Sequence, residues 1–200
     1  MNLALFDFDG TITEKDSFLD FIDHISRIHK YLIIKRILML PVFFAYLLGI
    51  LPMGKAKELF LTFCFKGWEK SYFDGIAEKY ADSFLPRLIR PVALETIQRH
   101  KSNKDRIVVV SASLDSWLEH WCSKYELDLI CSSLEEKNGA ITGKLQREDC
   151  NGLEKVRRIR ERYHLEQYDT VFAYGDSPGD KDMLKLADIA YYRWKRIRQE

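Results

Sequence analysis

From residue 92 onward, short apolar runs alternate with stretches of helical spacing, and this rhythm restricts the chain more than any other feature. Residues 92–100, 114–125, 152–163 and 178–186 read as helices, and 106–110, 127–131, 170–174 and 189–192 as strands. The RIVVV run at 106–110 is β-branched and suited to burial on both faces. Strands separated by helices need crossover connections, and hence a parallel sheet with helices on both sides. Residues 3–8 supply a further buried strand near the start, and residues 135–145 carry an Asn138-Gly139 hairpin turn. The expected fold is α/β, a three-layer doubly wound parallel sheet.

Between the first strand and residue 92 the pattern is helix alone. Phe18, Leu19, Phe21, Ile22, Ile25 and Ile28 mark one helical stretch, and 55–65 and 68–85 read as two more. Pro86 and Pro91 then punctuate the chain. The expected division is a catalytic core of residues 1–15 and 87–200 and an inserted all-helical cap of residues 16–86. Residues 31–53 are strongly apolar. No acid lies between Asp23 and Glu58, whereas Arg27, Lys30, Lys35, Arg36, Lys55 and Lys57 do. A membrane-spanning helix needs about 20 apolar residues, and this segment reaches that only by including Lys35 and Arg36, with Pro41 to kink it. The first reading is cap helices packed on one another and on the core. The alternative is contact with an anionic bilayer surface, to which the basic tract at 193–198 would add.

Thirty-one Lys and Arg stand against 30 Asp and Glu, so the basic excess of a nucleic-acid-binding chain is missing. Cys64, Cys122, Cys131 and Cys150 form no C-x-x-C pair and read as reduced thiols. The first ten residues hold acids and no basic leader. The expected location is the cytoplasm, or the inner face of the membrane in the alternative reading. The five histidines show no metal-ligand spacing and read as surface or boundary residues, and Trp117 and Trp121, one turn apart, as core packing.

Four motifs fall where the strands should end, which is where parallel sheets bind ligands. In DFDGT, residues 7–11, Asp7 and Asp9 point the same way from an extended strand. Carboxylates that close repel unless a proton or a hard divalent cation lies between them. Gly10 permits a sharp turn, and Thr11 offers a hydroxyl and an amide to a phosphate; an ordinary Asp-Gly turn is the plain alternative. Ser111, with Ala112 beside it, follows the VVV strand and suits an anion, unless Ser113 simply caps the next helix. Lys155 lies near a helix start, where a cation without an anion to meet is disfavoured, although a solvated lysine fits as well. In GDSPGD, residues 175–180, Asp176 can ligate a metal and Asp180 faces back from one turn on, or the two only flank a capped loop.

The order of these motifs resembles the haloacid dehalogenase superfamily, in its phosphoserine-phosphatase-like branch with a helical cap after the first motif. The resemblance rests on DFDGT, Ser111 after VVV, Lys155 and GDSPGD, and it spans nearly the whole chain. It implies a Mg²⁺-dependent phosphatase acting on a small phosphorylated substrate. Asp7 is then the nucleophile and Asp9 the general acid and base. Asp7, the Asp9 carbonyl and Asp176 are the metal ligands, with Asp180 in support of the metal shell or of Lys155. Ser111 and Lys155 hold the phosphoryl group. Asp16 matches the family position that meets the substrate from the cap, and it reads equally well as a helix cap. Phosphoserine phosphatases commonly carry an Asn where this chain has Gly179, which weakens the case for phosphoserine itself. Phosphatidylglycerophosphate is another substrate known in this branch, and a binding module that has kept only the fold is a third reading. Oligomeric state is not legible.

Overall fold

The computed structural model describes residues 1–198, so the last two residues of the expected core lie outside the described ones. Strand β1 (Leu3–Phe6) is followed by five helices, α1 (Ser17–Ile28), α2 (Tyr31–Leu38), α3 (Leu40–Leu47), α4 (Met53–Phe65) and α5 (Lys70–Ser83). Next come α6 (Pro91–Ser102), β2 (Arg106–Leu114), α7 (Asp115–Lys124) and β3 (Asp128–Ser132). A hairpin of β4 (Leu134–Lys137) and β5 (Ala140–Leu145) precedes α8 (Leu153–Arg162), β6 (Val171–Gly175), a short α9 (Lys181–Leu184), β7 (Ile189–Tyr192) and β8 (Lys195–Ile197).

Six strands form one sheet in the order β3-β2-β1-β6-β7-β8. The first four pairings are parallel, and β8 runs antiparallel to β7. The sheet is therefore mixed at one edge, a departure from the all-parallel expectation. Arg193 and Trp194, both at positive φ, make a tight turn that folds the basic tract back onto β7.

Period-two alternation sorts the strand residues between two cores. Ala4, Phe6, Ile107 and Val109 face the layer containing Trp117 and Phe21. Leu3, Leu5, Val108 and Val110 face Ile159 of α8 and Met183 of α9. Each such fully buried side chain contributes about 1.5–3 kcal/mol. An aromatic knot fastens the helical block to α7: Phe21 stacks on Trp117 at 4.7 Å between ring centres, and Tyr80 meets Phe21 edge-on at 5.3 Å. Trp117 and Trp121 are both buried, as their spacing predicts. His100 is buried too, against its reading as a boundary residue, because Asp105 (2.8 Å) and the Tyr174 hydroxyl (3.0 Å) occupy its two ring nitrogens.

The chain leaves and rejoins the sheet side by side. Thr13 bridges Ile89 antiparallel, the Glu14 amide donates to the Leu88 carbonyl (2.7 Å), and the Arg90 amide to that of Ile12 (2.9 Å). A second tie is the β4–β5 hairpin, whose backbone bonds to the helical block at three places, Gly67 N to Ile141 O, Ile141 N to Trp68 O and Lys70 N to Gly139 O, each 2.8 Å.

Residues 31–53 depart most from expectation. Pro41 sits in the first turn of α3, where its missing N–H costs nothing, so the segment forms two short helices. Only Leu32 is buried in α2 and no residue is buried in α3. The two helices pack on α1, α4 and each other by one face, as expected, and leave the other face exposed. Among the described residues no helix is long and apolar enough to cross a membrane.

Candidate active site

β1 ends at Phe6, and its continuation carries Asp7 beyond the carboxyl edge of the sheet, with the Asp7 amide still bonded to the Tyr174 carbonyl (2.9 Å). The chain then coils through a wide turn closed by Thr13 N to Phe8 O (2.9 Å). Gly10 adopts φ +82°, and a Cβ there would lie 2.4 Å from Asp176 Oδ2. Glycine thus permits the turn and also the approach of the fourth motif's carboxylate.

Lys155 links the motifs. Its side chain is only 2% exposed and donates to Asp7 Oδ1 (2.6 Å) and Asp180 Oδ1 (2.7 Å). The anion that its unfavourable place at a helix start called for is therefore a pair of carboxylates. Asp180 uses its other oxygen to accept from the amides of Asp176 (3.2 Å) and Ser177 (3.0 Å) and from the Ser177 hydroxyl (2.7 Å). It holds both Lys155 and the loop that presents Asp176. Burial works to raise Asp180, but Lys155 and these hydrogen bonds outweigh it and hold the carboxyl below its usual range. Burial also works to lower Lys155, and the charges of Asp7 and Asp180 reverse that and keep it an ammonium. Asp7 is pushed by burial up to about 8, against the pull of Lys155.

Carboxylate oxygens of Asp7, Asp176 and Asp180 lie within 4.8 Å of one another. Three acids share one ammonium; burial is the main cause that raises Asp7 and Asp176, and the neighbouring Asp180 charge adds to it in both. Hard oxygen donors crowded in this way fit a divalent ion such as Mg²⁺. The Asp9 side chain is not in this cluster. It accepts from the Ser17 amide at Oδ1 and from the Ser113 hydroxyl at Oδ2, both at 2.6 Å.

Other expected residues divide. The Thr11 hydroxyl donates to Asp176 Oδ1 (3.1 Å) rather than standing open to a ligand. Ser111 is buried and its Oγ accepts from the Ser113 amide (3.0 Å). Ala112 lines the cleft, and its carbonyl takes a hydrogen bond from Lys57 (2.9 Å), which is also paired with Asp149. Asp16 caps α1 by accepting from the Leu19 amide (2.9 Å), and it also faces the cleft, where partial burial and then the Asp9 charge push it up to about 6. Both sequence readings of Asp16 are therefore compatible with its position.

Three residues escaped the sequence reading. Ser113 read as a helix cap, yet α7 is preceded by Leu114 and has no side-chain cap. The signal was present, since Ser113 stands two residues after Ser111, the same spacing that joins Asp7 to Asp9. Ser17 reaches Asp9 only through tertiary packing, its hydroxyl accepting from Trp117 Nε1 (3.1 Å). Asn151 lies against Gly179, where a Cβ would stand 2.1 Å from its Oδ1. The amide of Asn151 thus fills the space that an Asn at 179 would need. From outside, Trp194 donates to the Thr11 carbonyl (3.2 Å) and Arg193 to that of Asp176 (3.1 Å), so the C-terminal hairpin braces the first and fourth motifs.

Asp7, Asp9, Ala112, Ser113, Lys155 and Ser177 form the floor of a cleft of about 760 Å³ whose far walls come from α1 to α4. Comparison with known proteins places the fold. A crystal structure of a protein of unknown function from Bordetella pertussis Tohama I superposes with a TM-score of 0.82 at 20% identity, over 96% of this chain and 89% of that one. A phospho-aspartyl intermediate analogue of phosphoserine phosphatase superposes at 0.60 with 23% identity, over 95% and 85%. Protein CicA of Caulobacter vibrioides is 32% identical over 197 residues, 96% of this chain and 85% of its own length. The model of the haloacid dehalogenase-like hydrolases matches residues 4–185, which include both acids of the first motif, Ser111, Lys155 and both acids of the fourth, and the chain belongs to that family.

Proposed function

We propose that this chain is a Mg²⁺-dependent phosphomonoester hydrolase that works through an aspartyl-phosphate at Asp7. The observation that carries the reading is the buried row Asp7–Lys155–Asp180, clustered with Asp176 and reaching the floor of the cleft through Asp7 and Lys155. Asp7 forms a bond to phosphorus while the ester P–O bond breaks, and Asp9 gives its proton to the departing alcohol oxygen. Asp9 then takes a proton from water, whose oxygen displaces Asp7 and releases inorganic phosphate. Lys155, Ser111 and the Ala112 amide hold the phosphoryl oxygens. Asp7, the Asp9 carbonyl and Asp176 would hold Mg²⁺, which when bound offsets the crowded carboxylates and polarises the phosphoryl group. The helical block acts as a cap that shelters these steps from bulk water. The phospho-aspartyl analogue in a protein of the same fold supports this chemistry.

Phosphate release from p-nitrophenyl phosphate tests the reading directly. Release should need Mg²⁺ and stop with a chelator, and acid-quenched protein should carry radiolabelled phosphate in the native chain but not in Asp7→Asn. Absence of both would leave a binding module that has kept only the fold, and transfer to an added alcohol would mark a phosphotransferase.

A further inference from the structure

The cleft has two unlike ends. Its floor is Asp7, Asp9 and Lys155, and its outer wall is Ile33, Ile37, Leu40, Val42 and Phe43 from α2 and α3. A phosphate ester of a small polar metabolite gives that wall nothing to pair with, whereas an acyl chain does. The same two helices and the turn after them present a second apolar face outward: Ile34, Leu38, Phe44, Leu48 and Ile50 are between 56% and 74% exposed. An apolar surface of this extent, continuous with the mouth of a cleft, marks an interaction site.

Its charge decides the occupant. Lys30 directly precedes α2, Arg27 is exposed near the end of α1, and Lys55 in the first turn of α4 is paired with Glu58 at 3.0 Å. No acid lies in the sequence between Asp23 and Glu58. A second copy docked by two-fold symmetry would set this cation-bordered apolar face against itself, with Lys30 and Arg27 opposed to like charges. An anionic lipid surface offers the complement, apolar chains for the helices and headgroup charge for the lysines.

We infer that α2 and α3 dock this enzyme on an anionic bilayer and that its substrate is a membrane-held phosphomonoester, with phosphate on Asp7 and acyl chain along the α2–α3 wall. The inference rests on the hydrolase reading above and narrows its substrate class.

The test pairs a phosphate head with and without its chains. Wild-type protein should float with vesicles of phosphatidylcholine and phosphatidylglycerol, and not with phosphatidylcholine alone. With Mg²⁺ it should hydrolyse phosphatidic acid in those vesicles at least tenfold faster, per kcat/KM, than glycerol 3-phosphate. The outward-facing triple variant Leu38→Glu, Phe44→Glu, Leu48→Glu should lose flotation and that preference, while hydrolysing p-nitrophenyl phosphate as the wild type does. A wild type that stays unbound, dimerises through this face, or favours the deacylated ester overturns the inference and leaves the hydrolase standing. No phosphate release from any ester, with flotation intact, indicts the hydrolase reading and leaves the docking surface standing.

Discussion

Ser113 meets Asp9 at 2.6 Å, hydroxyl to carboxylate, across the ends of two neighbouring strands. With the Ser17 amide on the other oxygen, this contact fixes the plane of the carboxyl proposed to hand over a proton. Ser113→Ala should lower kcat about tenfold with little change in KM, a part of the 10²–10⁴ that a positioned acid supplies. Steady-state kinetics on p-nitrophenyl phosphate check it. A rise in KM alone would make Ser113 a substrate contact instead.

Asp7→Asn should remove turnover by more than about 10⁴-fold, since the nucleophile is gone. The fold should persist, because Lys155 keeps Asp180 at 2.7 Å. Thermal unfolding should show a midpoint no lower than the wild type's, as one of the crowded carboxylates has been relieved. Residual turnover near the wild-type level would move the nucleophile elsewhere.

Mg²⁺ should raise the thermal midpoint of the native chain, since an ion that binds only the folded state stabilises it by mass action. Asp176→Ala should weaken that response and raise the Mg²⁺ concentration for half-maximal activity by more than about tenfold, the loss expected on removing a ligand. Calorimetry or a thermal shift series, read without substrate, separates the metal effect from chemistry.

Gly179→Asn alone should destabilise the chain and depress activity, because the new side chain meets the Asn151 amide. In an Asn151→Ala background the same change should cost far less. A double-mutant cycle on the unfolding midpoint reads the coupling directly, and additive effects would show that the two sites do not compete for space.

The motifs were legible because strand periodicity and β-to-α alternation are local. Asp7 and Asp9, Ser111 and Asp176 all sit where runs such as RIVVV end, and a strand end can be read from the sequence alone. Lys155 gave only a hint, and its burial between Asp7 and Asp180 depends on residues far apart in sequence. Ser17 and Asn151 gave no local signal, since each acquires its role by packing against a distant element. The β8 strand was hidden by its charge: Lys195–Ile197 is exposed, and only the turn at Arg193 and Trp194 makes it pair. The α2–α3 segment misled for the opposite reason, as apolar character predicts burial but does not name the medium.

The side-by-side course of residues 12–14 and 88–90 brings both chain ends of the helical block to one covalent joint with the sheet. Rewritten solvent-facing positions within residues 17–83 should leave Asp7 and Ser111 in place, since both lie on the sheet side of that joint, whereas Ser17 and Lys57 tie the block to Asp9 and Ala112. A foreign block grafted at those two seams would have to restore both ties, and the hairpin bonds at Gly67, Trp68 and Lys70, to keep the site in register.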